Sequence, residues 1–135
     1  MKRRALVASA IAASSALVAG RSSHADTDGT LLVYVGGWDC PPCISWKNNK
    51  KAAFLASPLG KKVRFVEIES PKLREAYEDR YWAADLRLVR DQLPERQKSG
   101  TPRFLIVRDG KLLSSEWGSG EWERTVAKLE TLLKG

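Results

Sequence analysis

The chain has 135 residues, 23 of them Lys or Arg and 16 Asp or Glu, for a formal net charge of +7. It holds two cysteines, one histidine (His24) and one methionine (Met1). That inventory excludes a histidine-based triad or a His/Cys zinc site beyond residue 25, and the length suits one domain with a modest core.

Met1-Lys2-Arg3-Arg4 is a basic start, residues 5–19 are uncharged and apolar or small, and Ser23-His24-Ala25 offers small residues where a signal peptidase reads. This order predicts a cleavable export signal over residues 1–25, cut after Ala25, and a folded domain over 26–135. The apolar stretch is shorter than the ~20 residues a spanning helix needs, which speaks against a membrane anchor. Arg3-Arg4-Ala5-Leu6-Val7 also loosely fits a twin-arginine signal, so the export route stays open. The leader carries Lys2, Arg3, Arg4 and Arg21 and no acid, so the net charge of the remainder falls from +7 to +3. Lys47-Asn48-Asn49-Lys50-Lys51 is then the densest basic run. It reads as a solvated helix face, and no nucleic-acid partner is expected.

Leu31-Leu32-Val33-Tyr34-Val35 is a continuous apolar run, short enough for a buried strand, and Gly36-Gly37 ends it. From Pro41 the pattern turns helical, with Ile44, Trp46, Ala52, Phe54 and Leu55 as candidate inward residues, until Pro58 and Gly60 close it. Val63 to Ile68 alternates and reads as a second strand. Ser70-Pro71 then opens a helical segment in which Leu73, Tyr77, Tyr81, Ala84 and Leu88 repeat near helical spacing. Trp82, Leu86, Val89 and Leu93 form a second register before Pro94. The segment is read as one long helix or as two, the second starting at Asp85. Tyr77, Tyr81 and Trp82 are expected in the core.

Phe104-Leu105-Ile106-Val107 is a third buried strand, and Asp109-Gly110 marks a hairpin that returns Lys111 to Glu116 antiparallel. Trp122, Val126, Leu129, Leu132 and Leu133 give an amphipathic C-terminal helix. The first two strands, joined by a helical crossover, should be parallel. The order predicts an α/β domain with a four-stranded mixed sheet and helices on both faces.

The two cysteines, Cys40 and Cys43, stand in Gly36-Gly37-Trp38-Asp39-Cys40-Pro41-Pro42-Cys43. Zinc needs about four ligands, which two thiols without histidine do not supply unless two chains share a site. The scarcity of Met and His also argues against a copper-transfer site. A structural disulfide is the serious alternative in an exported domain. A bond across two intervening residues closes a tiny loop, however, and restrains the unfolded chain little. Redox chemistry is the favoured reading. Cys40 follows a strand and two glycines at the cap of a helix, where the partial positive charge favours a thiolate. Cys40 is therefore expected to be the exposed nucleophile and Cys43, one turn in, the shielded resolving thiol. Pro41 and Pro42 lack N–H groups and Asp39 adds a carboxylate, so both modulate the site against the helix dipole. The Cys40 thiol is expected below a free thiol but not at the low extreme, which suits a reductant better than a strong oxidant.

With a strand leading into Trp38-Asp39-Cys40-Pro41-Pro42-Cys43 and Gly100-Thr101-Pro102-Arg103-Phe104-Leu105-Ile106-Val107-Arg108-Asp109-Gly110 further on, the chain resembles the thioredoxin superfamily over residues 30–135. The resemblance implies a thioredoxin fold with a lengthened helical segment before the cis-proline loop, and thiol–disulfide exchange without a bound cofactor. It implies a cis Thr101–Pro102 peptide beside Cys40, with Trp38, Thr101 and Pro102 forming the substrate groove. Pro102 to Ile106 is similar to exported members that reduce envelope proteins, and Thr101 to the threonine of disulfide isomerases. The expected setting is periplasmic, with envelope protein disulfides as substrates, an envelope or membrane redox partner, and a monomeric state. Two departures stand out. Asp39 separates Trp38 from Cys40, and Tyr34 takes the place of a buried carboxylate that relays protons. Water, Asp39, Glu67 and Glu69 remain candidates for that relay.

Overall fold

A computed structural model describes residues 29–134; the export signal expected over residues 1–25 and its cleavage position lie outside the described residues. The sheet has four strands: β1 (Thr30–Gly37), β2 (Arg64–Ser70), β3 (Arg103–Arg108) and β4 (Lys111–Trp117). Their spatial order is β2-β1-β3-β4. β1 and β2 are parallel, and β1–β3 and β3–β4 are antiparallel. Asp109 and Gly110 both lie at positive φ, 51° and 81°, which is the backbone a tight hairpin demands. This is the predicted mixed sheet, compatible with a thioredoxin-like fold.

Both faces of the sheet are covered, which explains the unbroken apolar runs of β1 and β3. Leu32, Tyr34, Phe104 and Ile106 face one way, into a core with Cys40, Cys43, Trp46, Phe54, Trp122 and Leu129. Val33, Val35, Leu105 and Val107 face the other way, against Trp82, Leu86, Val89 and Leu93.

The first crossover is a helical rod. Helix α1 (Pro41–Trp46) runs through a π-helical turn (Lys47–Lys51) into α2 (Ala52–Ala56). The wider turn takes up an additional residue, which brings Trp46 and Phe54 onto one inward face. Those two residues are buried, but Ala52, Ile44 and Leu55 are exposed, the last two by 47% and 36%. The inward set expected from regular helical spacing is corrected accordingly.

The segment before the proline loop is not one long helix. It is made of 3-10 turns at Leu73–Glu75 and Asp79–Tyr81, helix α3 (Ala84–Arg90), and a further 3-10 turn at Glu95–Gln97. Trp82 and Ala83 are extended rather than helical. The chain folds back there so that Trp82 is buried and its Nε1 donates to the Ala76 carbonyl at 2.8 Å. Tertiary burial outweighs helix propensity in this stretch. The second apolar register, with Trp82, Leu86, Val89 and Leu93, is the buried one, whereas Leu88 is 69% exposed. Helix α4 (Trp122–Leu133) buries Trp122, Thr125 and Leu129 against the cysteine-bearing core.

Candidate redox site

The site forms where β1 ends. Gly37 has no room for a side chain, since a Cβ would lie 2.6 Å from the Leu73 backbone. The Trp38 N–H donates to the Ser70 carbonyl at 2.9 Å, which ties the turn to the end of β2. Asp39 Oδ1 accepts from the Leu73 N–H at 2.7 Å and so caps the first 3-10 turn. Asp39 is thus committed to a backbone partner, something its place in the sequence did not reveal.

Cys40 and Cys43 are joined in a disulfide, with their Cα atoms 5.2 Å apart. Cys40 is the N-cap of α1, and its Sγ accepts from the Cys43 N–H at 3.2 Å. The two prolines between them donate nothing, so the Cys43 amide is the first donor this helix start can offer. Pro41 and Pro42 are themselves exposed.

The expected asymmetry in exposure is not found in this oxidised form: Cys40 is 1% exposed and Cys43 0%. The disulfide turns the Cys40 sulfur inward onto the helix, and the loop ending in Pro102 covers it. Thr101 Oγ1 donates to Cys40 Sγ at 3.2 Å. The Thr101–Pro102 peptide is cis, and both residues are buried. Of the residues expected to line a groove, Thr101 therefore contacts the sulfur directly. Trp38 stands 65% exposed two positions before Cys40.

Sequence reasoning did not single out Trp117, which is 60% exposed. Its indole lies against Gly100, where a Cβ would come 2.6 Å from Nε1. Gly100 also has φ +85°, so two constraints select glycine there. The neighbouring Gly118 N–H donates to the Pro102 carbonyl at 2.8 Å, so the end of β4 braces the proline loop.

Below the disulfide, Tyr34 is fully buried and stacks on Trp46 with ring centroids 4.8 Å apart. Its hydroxyl has no hydrogen-bond partner among the described residues. Burial, then the Glu69 and Glu67 carboxylates, push its pKa far up. On the neighbouring strand, Glu67 pairs with Lys51 and Lys47, and Lys47 Nζ lies 2.7 Å from Glu69 Oε1. Burial opposes ionisation of Glu67, but hydrogen bonds from Glu69, Lys51 and Lys47 outweigh it and hold its pKa down to about 2. Burial and the hydrogen bond shared with Glu67 push Glu69 up. The two carboxylates are thus unequal, and Glu69 is the one inclined to keep a proton.

Tyr77 supplies a pH signature. Burial raises its pKa to about 12, against the opposing pull of Arg103. The folded protein holds this proton more tightly than the unfolded chain does. The associated stability is present below the ordinary value of 10.0 and is lost as pH rises from there towards 12. Urea midpoints followed over that window should show a loss of about 2 kcal/mol from Tyr77, absent in Tyr77→Phe.

The chain matches no protein-family model and no curated protein sequence.

Proposed function

We propose that the protein is a periplasmic thiol–disulfide oxidoreductase that exchanges its Cys40–Cys43 pair with disulfides of envelope proteins, more as a reductant than as a strong oxidant. The observation carrying this reading is the 3.2 Å contact of the Thr101 hydroxyl with Cys40 Sγ, which brings the proline loop onto the first sulfur of the pair. A staple buried for stability alone has no need of that loop.

In the reducing direction the Cys40 thiolate attacks one sulfur of a substrate disulfide. A Cys40–substrate bond forms, the substrate S–S bond breaks, and one substrate thiolate leaves. The Cys43 thiolate then attacks Cys40 Sγ, which forms the intramolecular disulfide and releases the second substrate thiolate. Two electrons pass from the pair to the substrate, and the two protons given up by the cysteines end on its thiols. Trp38, Thr101 and Pro102 line the groove in this reading, while Asp39, Pro41 and Pro42 modulate the thiolate. An envelope or membrane partner returns the electrons, and the protein works as a monomer after export.

The complete burial of Cys40 favours a second reading, a non-catalytic binding module whose disulfide is permanent. Cys43→Ala separates the two. An oxidoreductase so altered should accumulate Cys40-linked mixed disulfides with envelope proteins. A permanent structural bond should instead show a reduction potential below about −300 mV, with no mixed disulfides recovered.

A further inference from the structure

The exchange reaction uses the loop that ends in Pro102, but not the groups that hold this loop. Arg103 is only 6% exposed. Its guanidinium donates to three neutral acceptors: Nη1 to Ser115 Oγ at 2.8 Å, Nη2 to the Ser99 carbonyl at 3.0 Å and Nε to the Tyr77 hydroxyl at 3.2 Å. The Tyr77 hydroxyl in turn donates to the Gly100 carbonyl at 2.8 Å. Two successive carbonyls of the loop, at Ser99 and Gly100, are therefore gripped from one side. The Trp117 indole against Gly100 and the Gly118 N–H on the Pro102 carbonyl hold the same loop as well.

A buried guanidinium whose acceptors among the described residues are all neutral is a costly way to fill a core position. The next two residues on the same face of β3, Leu105 and Val107, are simply apolar. Arg103 faces away from the cysteines, because Phe104 and Ile106 are the β3 residues in their core. Its effect on the sulfur is therefore transmitted through the loop.

We propose that Tyr77 and Arg103 are positioning residues for the exchange reaction, gripping the Ser99 and Gly100 carbonyls so that the Thr101 hydroxyl stays on Cys40 Sγ when the disulfide opens. The inference rests on the thiol–disulfide reading of the pair. A hydroxyl gains more by donating to a thiolate than to a neutral disulfide sulfur, since charge-assisted hydrogen bonds are about twice as strong. The clamp thus favours the reduced, ionised pair and makes it a milder reductant than an unclamped one.

The test is the equilibrium between the reduced protein and glutathione disulfide, which yields the protein disulfide and two molecules of glutathione. It is read at about pH 9, above the ~8.5 of an ordinary thiol. Thr101→Val should shift this equilibrium about fivefold towards the protein disulfide. Tyr77→Phe and Arg103→Lys should shift it in the same direction. Thr101→Val combined with Tyr77→Phe should move it no further than Thr101→Val alone, because both act on one hydrogen bond. A purely structural role would lower the urea midpoints of both redox forms alike and leave the equilibrium in place.

The proposal is overturned if Thr101→Val has no effect, if Tyr77→Phe and Arg103→Lys both leave the equilibrium at the wild-type position, or if the paired shifts add in full. Should Tyr77→Phe fail to fold, Arg103→Lys and its combination with Thr101→Val decide the matter in the same way. Failure of the underlying functional reading looks different. The wild-type disulfide would then resist glutathione, and Cys43→Ala would trap no client; the variant equilibria would still be measurable against dithiothreitol.

Discussion

Replacing Trp46 with alanine is expected to lower stability by about 3–5 kcal/mol, a large part of what a domain of this size possesses. Trp46 is 1% exposed and stands at the centre of the cysteine-side core. It stacks on Tyr34 at 4.8 Å, meets Trp122 edge-on at 5.1 Å, and lies 5.2 Å from Phe104. Those partners come from three separate elements, so no single rotation can close the hole. Urea denaturation followed by circular dichroism measures the loss. A fall below about 1 kcal/mol would mean that this aromatic cluster is not what holds the first helix on the sheet.

The second expected result is a separation of activity from stability at Cys40. Cys40→Ser should reduce thiol–disulfide exchange to the uncatalysed background, because a serine hydroxyl lacks the nucleophilicity of a thiolate. The same change should destabilise the protein by no more than about 2 kcal/mol, since the disulfide closes so short a loop. Reduction of a model protein disulfide, read beside a urea curve, gives both quantities. If Cys40→Ser kept its exchange rate, or lost stability on the scale of Trp46→Ala, the pair would belong to the architecture rather than to the chemistry.

β1 and β3 were legible because each is a local apolar run buried on both faces, β2 because its residues alternate, and the hairpin to β4 because Asp109-Gly110 can adopt positive φ at both positions. The cysteine pair and its place between strand and helix were equally plain. What escaped the sequence depends on partners distant along the chain. The burial of Cys40 comes from Thr101, brought in across the sheet. The turns between β2 and α3 follow from the need to bury Trp82, whose aromatic neighbours imitate a helical repeat. Arg103 reads as a charge at a strand edge, yet its acceptors at Tyr77, Ser99 and Ser115 make it internal. Asp39, read as a modulator of the thiolate, caps a turn that the sequence pattern did not resolve.

The π-helical turn at Lys47–Lys51 sets the phase between the two ends of the first helical rod. Ahead of it, Cys43 and Trp46 point inward; behind it, Phe54 does so only because of the surplus residue. An α-helix advances by about 100° per residue, so deleting one lysine there would swing one end out of its seat to keep the other in place. The rod therefore has no slack in its length, and its insertion point ties the sulfur chemistry to the anchoring of a ring at the far end of the same rod.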